Sequence, residues 1–202
     1  MAETNYSVDT DLREARAMVD GLDTYVRRDE LYGSVHGGVF VSPNTPHLTI
    51  GALLLRLRRL NALRDTLTPA QVAQLDSIIA LHDQVHREWT VHYDAKMKRE
   101  AASRLKMMNA YFEEIRDGSP YVEGAYQPEA LRRTIVQDIR DRMREVRFSE
   151  QDISEIEGGM NMVDTRLHRI TRPGDFIWSS QLAPAYPKQP YWWLHVRPPK
   201  DI

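Results

Sequence analysis

No cysteine occurs anywhere in the 202 residues, which excludes disulfides, thiolate nucleophiles and sulfur-built zinc sites. No apolar run approaches membrane length. Charge of one sign is missing too: 27 Lys and Arg stand against 29 Asp and Glu, so no global field draws nucleic acid or an anionic membrane. Neither Gly-x-Gly-x-x-Gly nor Gly-x-x-x-x-Gly-Lys-Ser/Thr is present, and no Gly-x-Ser-x-Gly elbow occurs, so phosphate loops and a hydrolase nucleophile turn have no support. The stretch from Met1 to Asp11 is polar and acidic, without the basic start and apolar core of a secretory signal. A cytoplasmic protein is the expectation, of a length that buries its own core without metals or staples.

What is present is helical periodicity. Leu12, Ala15, Val19, Leu22 and Val26 recur at three and four residues, predicting a first helix from Asp9 to about Tyr32, capped by Asp9 or Asp11. The segment 33–41, around Gly37-Gly38, reads as a loop or small β-hairpin. Leu48, Leu53, Leu54, Leu57, Leu60 and Leu63 then form the stripe of a second helix reaching about Thr66. Thr68-Pro69 is a strong helix start, because proline's missing N–H would be unpaired there in any case.

From Pro69 to Gly118 no further glycine or proline interrupts an apolar seam through Leu75, His82, Val85, Trp89, Tyr93, Met97, Leu105 and Phe112. One long third helix of about 70 Å is expected. A loop covers Gly118 to Gly124 and Gln127-Pro128, and Leu131, Ile135, Ile139, Met143 and Val146 mark a fourth helix. Ser149 and Asp152 restart a helix that carries Ile153 to Ile170, with a kink expected at Gly158-Gly159. The stretch from Pro128 to Arg172 would then span about 65 Å, against about 35 and 30 Å for the first two helices. The fold class is all-α: a helical bundle, residues 1–172, built on a long antiparallel helical hairpin. Because so long a seam outruns the short helices, covering it calls for a homodimer through the long helices.

After Arg172 the composition changes. Six of the eleven prolines fall between Pro173 and Pro199, with Trp178, Trp192 and Trp193 among them. Pro184, Pro187 and Pro190 recur at the three-residue period of a polyproline II helix. Residues 173–202 are expected as an extended Pro/Trp/Tyr-rich tail, packed on the bundle or on a second subunit, since exposed paired tryptophans invite aggregation. Docking in a protein partner's aromatic groove is the other role open to it.

Charge is segregated along the chain. Arg56, Arg58, Arg59 and Arg64 lie on the second helix and Lys96, Lys98, Arg99, Arg104 and Lys106 on the third, whereas Ser149 to Asp164 holds only acids among its ionised residues. Pairing between neighbouring helices explains this better than a nucleic-acid surface, because no aromatic residue interleaves Lys96 to Lys106.

Two constellations carry candidate chemistry. His82 and His86 share a helix face with Asp83 beside them, and His92 lies further along; two imidazoles four apart can hold one transition metal. Asp83-x-x-His86 only partly imitates the Glu-x-x-His of di-iron bundles, and His82 also falls where a hydrogen-bonded core histidine is common. Asp138-x-x-Asp141 and Asp152-x-x-Glu155 resemble in spacing the paired acids of all-α nucleotide pyrophosphatases, a resemblance that implies magnesium-dependent phosphoanhydride hydrolysis. The residue types differ from that pattern. No cofactor is implied by any other motif. The leading expectation is a homodimeric scaffold or protein-interaction module, and the alternative is a metal-dependent hydrolase with its site inside the bundle.

Overall fold

The computed structural model describes residues 5–34, 47–116 and 123–198, with side chains in 114–116 and 123–125 left aside. The hairpin expected at 33–41 lies largely outside these residues; within them, Gly33 and Leu48 form an antiparallel bridge. The loop expected at Gly118 to Val122 lies outside them as well. Among the described residues the fold is all-α, with six α-helices and one two-stranded sheet. No helix among them is long and apolar enough to cross a membrane. The chain divides into two compact units, Ser7–Glu100 and the part from Ala101 onward.

In the first unit, α1 spans Val8–Arg27, capped by the Ser7 side chain, which accepts from the Thr10 N–H, and not by Asp9 or Asp11. It ends at Arg27, five residues short of Tyr32. Helix α2, Ile50–Ala62, starts on a Thr49 cap and is followed by a 3-10 turn, Arg64–Thr66. Helix α3, Pro69–Glu88, opens on the expected Thr68-Pro69 signal, completed by a capping box with Gln71. Bonds from Gln71 to Asp9 (2.7 Å), Arg16 to Ser77 (3.3 Å) and Trp89 to Asp23 (2.7 Å) climb both helices in the same direction. Thus α1 and α3 run parallel. The predicted stripe of α1 is the core: Leu12, Ala15, Val19, Leu22 and Val26 are all at or below 1% exposure.

Helix α2 buries charge as well as leucine. Arg56 donates from Nε to Glu14 at 3.0 Å and lies 3.7 Å from Asp11, while Arg59 is 3.9 Å from Asp11. Pairing between helices is therefore what Arg56 and Arg59 do. Lys96 is likewise buried, donating to the Glu30 carbonyl with its ammonium over the Tyr25 ring. Burial, and secondarily the nearby Arg99, holds its pKa below the ordinary lysine value.

The single long third helix is not formed. The chain breaks at Trp89 (φ −118°, ψ 32°), and α4, Thr90–Arg116, begins after it. In a straight helix residues eleven apart stand about 16 Å apart along the axis, yet His82 Nε2 and Tyr93 Oη, eleven apart, are within 2.7 Å. The break is therefore a sharp turn, made without glycine or proline. Side chains hold it: the Trp89 indole donates to Asp23, the Arg27 guanidinium lies over the indole ring, and Thr90 Oγ1 donates to the His86 carbonyl. The turn is also what lets one chain bury the seam, since Leu75, His82, Val85, Tyr93, Met97, Leu105 and Phe112 are all below 9% exposure.

In the second unit, α5 spans Glu123–Glu145 and α6 spans Glu150–Ile170. Helix α5 begins ahead of Pro128, which the sequence placed in a loop, and carries that proline in its second turn. Helix α6 starts where expected, with Ser149 accepting from the Asp152 N–H at 3.1 Å. Arg133 with Asp164 and Arg144 with Glu157 order the two helices antiparallel. Helix α6 continues through Gly158-Gly159 without interruption. A Cβ at Gly159 would stand 2.7 Å from Leu105 Cδ1, whereas one at Gly158 would meet nothing within 4 Å. Gly159 thus serves a close approach to α4, and the pair makes no break.

The tail is folded and is not a polyproline II arm. Arg172–Pro173 pairs as β1 with Val196–Arg197 as β2, antiparallel. Between them lie 3-10 helices at Ser180–Ala185, which contains Pro184, and at Trp192–His195. Trp178, Tyr186, Tyr191 and Trp193 are buried and meet edge to face in succession at centroid separations of 5.0, 5.0 and 5.4 Å. Such pairs add about 0.5–1.5 kcal/mol each beyond burial.

Replacing glycine by alanine in a helix interior is worth about 1 kcal/mol where space allows. Gly158→Ala should raise unfolding free energy by about 0.5–1 kcal/mol, and Gly159→Ala should gain clearly less, because Leu105 must move. Chemical denaturation of the two variants checks this; equal gains would contradict the close approach.

Candidate functional site

The sequence-predicted residues are brought into structural bonds. His82 pairs through Nδ1 with Asp83 at 3.0 Å and through Nε2 with the Tyr93 hydroxyl at 2.7 Å. His86 bonds Asp94 at 3.1 Å and stacks on Tyr93 at 4.2 Å. His92 packs on the edge of Trp89. Asp138 is buried and accepts from the Tyr191 hydroxyl at 3.2 Å, and Asp141 accepts from Gln137 Nε2 at 3.0 Å. Asp152 belongs to the cap of α6, and Glu155 is exposed on its first turns. These residues are not gathered on one centre: among the described residues, no group of three or more His, Asp or Glu is arranged to hold a metal ion.

A different set of residues lines a cavity of about 280 Å³ in the second unit. Helix α5 supplies Arg133, Gln137 and Arg140, spaced by four and three residues and so on one face. Helix α6 supplies Glu157, Met160, Asn161 and Asp164, and the C-terminal segment closes the cavity with Gln189, Pro190, Trp192 and Trp193. The spacing is reciprocal: Arg133 and Arg140 are two turns apart, and so are Glu157 and Asp164 on the antiparallel neighbour.

Trp193 fastens the segment to α5. Its indole N–H donates to Thr134 Oγ1 at 2.9 Å, its carbonyl accepts from the Tyr126 hydroxyl at 2.6 Å, and the Arg133 guanidinium stacks 3.9 Å from its ring. Next to it Trp192 stacks on the His168 imidazole at 3.7 Å and lines the cavity. Burial, with smaller help from Tyr111 and Asp164, pushes the Tyr126 phenol well above its ordinary pKa.

The two arginines differ in how fully they are used. Arg133 grips Asp164 with Nε (2.7 Å) and Nη2 (2.9 Å), and Nη1 donates to Gln137 at 3.2 Å. Arg140 is held more loosely, by ion pairs from Nη1 to Asp141 at 3.5 Å and from Nε to Glu157 at 3.7 Å, with no hydrogen bond at Nε. Glu157 instead takes its close bond from Arg144, at 2.7 Å. The exposed amides of Asn161 and Gln189 also line the cavity, with no side-chain bond to another described residue.

Sequence reasoning passed over Arg133, Arg140, Asn161 and Gln189. The seven-residue echo of two arginines by two acids was legible; the amides were not, because Gln189 reaches the cavity only through the fold of the tail. No family model, no curated protein and no solved structure matches the chain.

The Tyr126 phenol gives a pH test. An acid whose folded pKa is raised stabilises the fold fully below its unfolded value, about pH 10, and that stability is lost as pH rises further. Tyr126→Phe should cost about 1 kcal/mol at neutral pH through the lost bond to the Trp193 carbonyl. It should also lose less stability than the parent between about pH 9 and 11. Denaturation curves across that range check both signs.

Proposed function

We propose that this chain is a protein-interaction module whose second unit binds a segment of another polypeptide in the cavity between α5, α6 and the C-terminal segment. One observation carries the reading: the exposed Asn161 and Gln189 amides line this cavity without a side-chain bond to another described residue. These amides offer donor and acceptor groups of the kind that pair with peptide backbone. The half-exposed Trp192 offers a flat apolar wall beside them.

The hydrolase alternative has less in its favour, because His82, His86 and Asp138 hold one element to another and Asp141 bonds Gln137 on its own helix, all through bonds that a metal would have to break. Self-association is not needed by the present reading, and the interaction it invokes is with a peptide segment.

Selection from a library of random peptides displayed with free C-termini tests the proposal, using the whole protein as bait and a charge-removed Arg140→Gln, Asn161→Ala variant as counter-bait. Enrichment of related sequences that bind the parent at least tenfold better than the variant is expected. Failure to enrich any sequence, or binding indifferent to the variant, would overturn it.

A further inference from the structure

We infer that the outer face of α6 is a self-complementary surface, on which a second copy of this chain docks antiparallel about a two-fold axis at Met162. Met160 and Asp164, which α6 gives to the cavity, lie on the other side of the helix. The surface is therefore separate from the peptide site and does not depend on that reading.

Core and surface divide α6 cleanly. Ile153, Ile156, Met160, Val163 and Leu167 are buried, and opposite them Glu155, Gly158, Met162, Thr165 and Arg169 are exposed. The exposed residues follow one another at three, four, three and four positions, the spacing of a seam along which two helices cross at a shallow angle.

Two residues in the middle of this stripe have no use within the chain. Met162 is 59% exposed, although its side chain is among the larger apolar ones. Gly158 sits in the helix interior, where glycine costs about 1 kcal/mol relative to alanine, and a Cβ there would meet nothing within 4 Å. Gly159 is explained by Leu105 above it, but Gly158 has no such neighbour. A second helix approaching over Gly158 would give both residues a contact.

Charge sets direction and register. Beyond the first turn of α6, Glu157 pairs with Arg144, Asp164 with Arg133 and Arg166 with Glu113. Glu155 and Arg169 have no ion pair among the described residues. Glu155 stands seven residues before Met162 and Arg169 seven after it, each about 10 Å away along the axis. A two-fold axis at Met162 thus sets Glu155 of each copy beside Arg169 of the other, and Met162 against its counterpart. A parallel pair would oppose like charges. Symmetry makes every contact twice, which doubles the modest worth of an exposed ion pair. One helix face buries less than the roughly 800 Å² per partner of a standard interface, so the dimer is reversible, with a Kd of roughly 10–100 μM.

Sedimentation equilibrium of the full-length protein, from about 1 to 500 μM, tests this. Met162→Glu, Glu155→Arg and Arg169→Glu should each weaken the dimer at least tenfold, and the double variant Glu155→Arg, Arg169→Glu should return to within about threefold of the parent. Mixing the two charge-reversed single variants should yield a heterodimer as tight as the parent dimer, although neither variant self-associates alone. All three positions are exposed, and melting followed by far-ultraviolet dichroism confirms that each variant is folded. A parent that stays monomeric throughout overturns the inference. So does a dimer indifferent to both charge reversals, or a mixture that fails to restore association.

Discussion

Everything after Thr171 depends on how Trp193 is held. Its ring, indole N–H and carbonyl are each engaged by α5, through Arg133, Thr134 and Tyr126 in turn. A segment of about thirty residues with two-residue strands cannot stabilise itself, since isolated pairs of strands are marginal in water. The buried tryptophan supplies what the strands lack, and the run of edge-to-face rings from Trp178 through Tyr186 and Tyr191 carries that anchoring back along the segment. Trp192, pinned between this anchor and His168, then forms a wall of the cavity. The cavity is thus a by-product of docking a tail on a helix pair.

Charge plays a complementary part in both units. In the first, Arg56 and Arg59 are buried against Asp11 and Glu14; in the second, Arg133 and Arg144 meet Asp164 and Glu157. A buried pair adds little net stability over a well-packed apolar pair, because both ions are desolvated, but removing one partner is costly. Such pairs therefore discriminate between packings more than they strengthen any one of them.

Much of the fold could be read from spacing. The stripe from Leu12 to Val26, the Thr68-Pro69 start and the Ser149 cap all describe interactions within a few residues, and each appears as expected. The turn at Trp89 could not be read, because no breaker marks it; it exists through bonds to Asp23 on another helix and across the corner from His82 to Tyr93. Period-three prolines suggested an extended arm, but Pro184 entered a 3-10 helix once aromatic burial set the path of the chain. At the candidate site, the histidines and paired acids drew notice for their chemical type, and most of them proved to be joints of the fold. The cavity draws instead on side chains from three separated stretches, of which only the arginine and acid repeats leave a trace in the sequence.

The unbonded Nε of Arg140 is one of several buried side-chain atoms without a hydrogen bond among the described residues. An aliphatic side chain of similar length at this position would strand no donor, so a chain shaped by stability alone would be expected to discard the arginine. Each such atom is a local inconsistency that folding does not call for. At these places the free protein is less stable than its sequence could make it.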